Sequence, residues 1–209
     1  PGVAANNNSL TFNGGTVTVN ANSSISSDNA GTITLAADRL PAPLPAVNLY
    51  ANGGKDGGKI LVQAVNGTIP FGVGTGKIRV NAKSGTANGD GGEIKIFAPT
   101  VTVADSNASG TALIAKAVGT NGKGGNIEIA ATTLSFSGSD SEINVDGKGT
   151  GDGGEVKLNT GTGITVDQGN TGNVKISAKS VDSGSGGTIT LISGGPQTFD
   201  AAEISLNAG

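Results

Sequence analysis

Three aspartates stand immediately before glycine pairs: Asp56 in KDGGK (55–59), Asp90 in GDGGE (89–93) and Asp152 in GDGGE (151–155). Glu93 and Glu155 follow two of these pairs. Carboxylates and main-chain carbonyls in glycine-rich turns are the donors that calcium takes. Asp56, Asp90, Glu93, Asp152 and Glu155 are therefore the candidate metal set. The calcium-binding nonapeptide GGxGxDxUx places its acid after the glycines. Here the aspartate comes first, and equivalent places hold Lys123, Asn126 and Ser185. The plainer reading is a corner where glycine supplies a positive φ and the polar residues face water. No cofactor is expected, and calcium is the metal these residues could take.

Other chemistry has less to stand on. Cys, His, Met and Trp are all absent, which removes thiol nucleophiles, zinc–thiolate sites and a histidine base. The segment GKGTGDGG (147–154) echoes a phosphate loop, but no helix pattern follows to present an N-terminus to an anion. Glu93, Glu128, Glu142 and Glu155 lie among lysines, as on a solvated face, and the only arginines are Arg39 and Arg79. A polysaccharide-cleaving site is accordingly not expected, and the chain is read as a non-enzyme. Thr-x-Thr pairs at 16/18, 32/34, 100/102 and 188/190 do not make the continuous array an ice-binding face needs. The least regular stretch is LPAPLPAV (40–47). With the single tyrosine, it gives a candidate contact loop of Leu40, Pro41, Pro43, Leu44, Pro45 and Tyr50. Net charge is −3 with dispersed acids, so no nucleic-acid footprint is expected. No apolar run is long enough for a membrane-spanning helix.

The elements that position these residues follow from a repeat. The second glycine of each pair falls at Gly58, Gly92, Gly125, Gly154 and Gly187, at intervals of 34, 33, 29 and 33 residues. Each period of about 32 residues holds three short alternating pieces. In one period these are GGNIEI (124–129), TLSF (133–136) and EINV (142–145), followed by a glycine-rich loop. Such strands are too short to stand alone, and their constant phase implies that equivalent strands stack. The expected fold is all-β: a right-handed parallel β-helix with three short strands per coil and six to seven coils over residues 1–209. Alternation sends Ile94/Ile96, Ile127/Ile129 and Val156/Leu158 inward. Phe12, Phe71, Phe136 and Phe199 all fall in second pieces. Outward columns should read Lys59–Glu93–Asn126–Glu155–Thr188 and Leu61–Lys95–Glu128–Lys157–Thr190, with signs alternating from Lys95 to Lys157. The register of Ala112–Ala115 is ambiguous, and the prolines near residue 43 should bulge out.

The unit GGNIEIAATTLSFSGSDSEINVDGKGTGDGGEV (124–156) resembles the repeats of filamentous-haemagglutinin-type bacterial surface exoproteins, the cyanobacterial members most of all. The likeness runs from Ser9 to Leu206. It implies a long right-handed β-helix exported by two-partner secretion and used in adhesion, biofilm and surface fibres. The asparagine–proline motifs of that family's secretion domain are not in this sequence. The expected role is thus a structural or adhesive rod outside the cell, as a segment of something longer or a subunit that associates end to end. A carbohydrate-binding module that contacts surface glycans is the alternative.

Overall fold

The computed structural model describes residues 3–4, 16–20, 29–40, 44–72, 76–85, 88–104, 113–137, 140–167, 173–200 and 203–209. These residues form strands and connecting turns, with no helix among them. The strands are β1 (Val3–Ala4), β2 (Thr16–Asn20), β3 (Thr32–Ala37), β4 (Ala46–Tyr50), β5 (Lys59–Ala64), β6 (Thr68–Phe71), β7 (Ile78–Asn81) and β8 (Glu93–Ala104). They continue as β9 (Leu113–Ile114), β10 (Asn126–Ser137), β11 (Asp140–Asn144), β12 (Glu155–Asp167), β13 (Asn173–Ser177), β14 (Thr188–Ser193), β15 (Gln197–Asp200) and β16 (Glu203–Asn207).

Every strand pair among the described residues is parallel, and apart from the single β6–β7 pairing of Phe71 with Ile78 the partners lie about one repeat apart in sequence. That pairing makes the chain a β-solenoid of stacked coils, of about four turns. The first repeat pieces form one stack, β3–β5–β8–β10–β12–β14. The third pieces form another, β4–β7–β9–β11–β13–β16. The second pieces lie between them, where β6 pairs with the later half of β8.

The stacks are ladders of like residues. Ile33, Ile60, Ile94, Ile127, Val156 and Ile189 lie in register, as do Leu35, Val62, Ile96, Ile129, Leu158 and Leu191. The side chains from Ile33 to Leu158 in these columns are buried. In the second stack Phe71, Val103, Phe136 and Val166 alternate aromatic with aliphatic, and Phe199 continues the register. Phe12 lies outside the described residues. Burying each such side chain contributes about 1.5–3 kcal/mol, which offsets the entropy of ordering a chain without helices. Toward β14–β16 burial falls: Leu206 is half exposed, and an apolar cavity is lined by Phe136, Ile164, Val166, Val174, Ile176, Leu191 and Leu206.

Three local expectations need correction. The first and second pieces are not separate strands in β8, β10 and β12, which run unbroken for 12 or 13 residues. The corner between them is so short that the hydrogen-bonded ladder carries straight across it. In β8, inward Ile94, Ile96 and Ala98 give way to Val101 and Val103, a one-residue change of phase that keeps the bent strand's apolar side on the core. In β10 and β12 a register irregularity at Ala131/Thr133 makes the same turn. The ambiguous third piece is also resolved: Leu113 pairs with both Val80 and Ile143 and is fully buried.

The third correction concerns the glycine pairs. None of them has a positive φ; Gly67, Gly76 and Gly149, in other turns, do. The pairs are required by close approach instead. A Cβ built on Gly92 would overlap the carbonyl oxygen of Gly58, one on Gly125 that of Gly92, and one on Gly154 that of Gly125. The first glycine of each pair is equally crowded, Gly91 against the carbonyl of Ala115 and Gly153 against that of Ala178. Each corner is closed from within the coil as well. The amide of Gly92 donates to the carbonyl of Ala82 at 2.7 Å, and the amide of Gly125 to that of Ala115 at 2.7 Å. Glycine is needed here because two backbones meet with no room for a side chain.

Candidate functional site

The aspartates before the glycine pairs occupy one loop position on successive coils. Asp56 Oδ1 accepts the amide of Asp90 at 2.9 Å, Asp90 Oδ1 accepts the amide of Lys123 at 2.8 Å, and Asp152 Oδ1 accepts the amide of Ser185 at 2.9 Å. Each carboxylate thus holds the main chain one coil further on. The backbone beside it does the same, Gly57 donating to the carbonyl of Asp90 and Gly91 to that of Lys123. The column reads Asp56, Asp90, Lys123, Asp152, Ser185, so a cation interrupts the acids. Stacked at strand spacing, about 4.8 Å apart, these carboxylates do not converge on one point. Among the described residues no group of three acids surrounds a space for a metal ion.

Glu93 and Glu155 belong to the outward face of the first stack. The two columns expected there are present residue for residue, Lys59–Glu93–Asn126–Glu155–Thr188 and Leu61–Lys95–Glu128–Lys157–Thr190. Glu93 lies 2.6 Å from Lys95 Nζ on its own strand and 3.5 Å from Lys59 Nζ on the strand below. Lys157 reaches Glu128 at 3.9 Å. Lys95 therefore pairs sideways, two residues along, rather than up its column to Glu128. The hydrogen bond from Lys95 holds the Glu93 carboxyl below the usual carboxylate range, and the same bond raises Lys95. On the third stack, Glu142 takes Lys175 at 3.1 Å and the side-chain amide of Asn144 at 3.1 Å.

The candidate contact loop divides. Leu40 and Leu44 are buried members of the core cluster, and Pro45 is buried. Pro41 and Pro43 lie outside the described residues. Tyr50 is on the outward side of β4, half-buried, with Asn81 of β7 as its register partner.

Two polar features escaped the sequence reading. Asp146 is a buried carboxylate that follows β11 and accepts from Ser177 Oγ and from the Lys179 amide at 3.1 Å. Its neighbours come from a different coil, so only the stacking register brings them to it. The second feature is a basic row. The half-buried Lys77, Arg79 and Lys83, with the buried Asn81 between the last two, alternate along and beyond β7 with inward Ile78, Val80 and Ala82. The alternation KIRVNAK (77–83) was the available signal. Its neighbour Lys116 was hidden behind the ambiguous register of Ala112–Ala115.

The arrangement offers coil-to-coil fastening, a charge-laced outer face and one concentrated patch of cations. Comparisons of this chain with protein-family models, with curated proteins and with solved structures each found no match.

Proposed function

We propose that this chain is a structural, adhesive β-helical rod, part of a bacterial cell-surface adhesin or extracellular fibre. In this reading the whole chain winds as six to seven right-handed coils with three sides each. It works outside the cell by holding other surfaces or other copies at a distance, and not by catalysis. One observation carries the proposal: apart from the exposed Glu155, the acids singled out for chemistry are engaged in the solenoid itself. Asp56, Asp90 and Asp152 fasten one coil's amides to the next, while Glu93, Glu128 and Glu142 neutralise lysines on the outer faces.

The resemblance of residues 124–156 to filamentous-haemagglutinin-type repeats supports the same reading. So does the in-register stacking of like residues, because a further coil of similar sequence would extend every ladder. Association between copies, by continuing those ladders, belongs to the proposal. Calcium is not needed for it. Electron microscopy of the full-length protein on the cells that make it tests the proposal. Thin rods or fibres projecting from the surface are expected. Compact particles confined to the cell interior would overturn it.

A further inference from the structure

The outer faces treat their charges in two ways. On the first stack cations and carboxylates are interleaved and paired. Along β7 they are not. Lys77, Arg79 and, past Asn81, Lys83 share one strand face, and hydrogen bonds from Ala82 to Ile114 and from Ser84 to Lys116 set Lys83 beside Lys116 on the next coil. Four of the chain's 13 cationic side chains thus gather on a protein of net charge −3. None of the four has a carboxylate within ion-pair distance among the described residues. The row beneath them in register, Ala46, Asn48, Tyr50 and Asn52, carries no acid. The nearest carboxylate in the Lys83–Lys116 column is Asp146, which is turned to Ser177 and the Lys179 amide. Glu142, further up the column of Arg79, is engaged by Lys175 and Asn144.

Two buried hydrogen-bonding atoms in the same row also have no partner among the described residues. Arg79 Nε is a donor with no acceptor, and Asn81 Oδ1 is an acceptor with no donor. Such groups are costly to leave unmade. A ligand that relieved both would have to supply an anionic oxygen and a hydroxyl hydrogen. Tyr50, the one tyrosine, is the outward neighbour of Asn81 in register and offers a flat face beside them.

We propose that the Lys77–Arg79–Lys83 row of β7, with Lys116 and Tyr50, is a binding site for an acidic polysaccharide. The acid groups lie against the cations, a sugar ring rests on Tyr50, and the buried Asn81 Oδ1 takes a sugar hydroxyl once its side chain turns outward. Arg79 turns outward to make a charge-assisted bond. This site goes beyond the rod, since a rod does not require such a cluster of cations, none paired with a carboxylate among the described residues. A saccharide suits it better than a nucleic acid. The basic patch is only one strand long, and outside it the 13 cations less these four leave 9 against 16 acids, which would leave most phosphates of a longer strand unmatched or repelled. Lys83 carries a further mark of the strain: burial, Lys116 and Arg79 together hold its amine below the ordinary lysine value.

Calorimetric titration of the whole chain tests the site. The probes are polygalacturonate oligomers, dextran sulfate, neutral dextran and a single-stranded DNA oligonucleotide. Binding of one or both acidic polysaccharides, without neutral dextran, is expected, and the preferred polymer identifies carboxylate or sulfate as the acid. Lys83→Ala/Lys116→Ala should weaken that binding by roughly tenfold or more, and Arg79→Gln and Tyr50→Leu should each weaken it. Lys59→Ala/Lys157→Ala removes the same charge from the first stack and should leave it unchanged. Equal loss in both double variants would overturn the site, because net charge alone would then explain binding. Failure of both acidic polymers to bind, or equal affinity for DNA, would also overturn it.

Discussion

Gly92 lies with its Cα against the carbonyl oxygen of Gly58, one coil away, at a φ that any residue could adopt. The constraint is therefore one of space between two backbones. Gly92→Ala should force the coils apart locally and destabilise by about 1–3 kcal/mol or more, as should Gly125→Ala. Gly161→Ala is the control. A Cβ there meets Thr132 only at ordinary contact distances, 3.7–3.9 Å, and the loss of chain entropy makes a gain of about 0.4–1 kcal/mol the expected outcome. Urea unfolding of the three variants checks the contrast. Equal effects at Gly92 and Gly161 would contradict the close-approach account.

Asp90 is fastened to the Lys123 amide, so its carboxyl oxygen matters more than its charge. Asp90→Asn keeps an acceptor and should leave stability almost unchanged. Asp90→Ala leaves the Lys123 amide to water and should lose about 0.5–1.5 kcal/mol. Asp152→Ala should act alike through Ser185. If the aspartates bind calcium instead, the ion will raise the melting temperature of the parent chain, and both alanine variants will abolish that rise. The stacked geometry leads us to expect melting temperatures unaffected by calcium.

The coil was legible because a solenoid writes its register into one strand at a time. Gly58, Gly92 and Gly125 mark the corner, and Ile-x-Ile after them marks the inward side, so the first stack could be aligned residue for residue. What was missed lies in contacts that depend on height. Whether Lys95 turns to Glu93 or to Glu128 is a choice between two similar distances, one along the strand and one across it. The glycines carried a residue type but not its cause, since positive φ and close approach both demand glycine. The basic row of β7 was visible as alternation. That no carboxylate among the described residues pairs with it was not, because that required the stacking of Lys83 on Lys116 and the orientation of Asp146.

Glu93 gives the first face a pH signature at the acid end. Its carboxyl is held below the usual range by the Lys95 hydrogen bond first, which outweighs the opposing effect of burial, with the charges of Lys95 and then Lys59 adding to it. A lowered folded value means that the unfolded chain binds more protons in that window, so stability rises with pH through it. The contribution is complete above the ordinary value of 4.5 and is lost as pH falls through the folded value. Glu93→Gln should therefore lower the melting temperature by about 1–3 °C at neutral pH. The gap between variant and parent should close in strong acid. Thermal scans across the acid range would refute the pairing if the gap persisted unchanged.

Lys83 predicts the opposite behaviour at the alkaline end. Burial, then Lys116, then Arg79 push its amine below the ordinary 10.5, so the charged form is disfavoured in the folded chain. At neutral pH the amine is charged in both states and the folded state bears the penalty. As pH rises from the folded value to 10.5, the unfolded chain holds the proton longer, and by linkage the folded state gains stability. Lys83→Met keeps the aliphatic stem and removes the charge. Its backbone amide can still donate to Asn52 Oδ1, which the parent does at 3.0 Å. The variant should melt about 1–4 °C higher than the parent at neutral pH, and the advantage should vanish above 10.5. Lys116→Gln should reproduce part of the gain, because it removes one of the two repelling charges. A variant that melted lower than the parent at neutral pH would show that Lys83 is a stabilising contact, and the row along β7 would lose its strain.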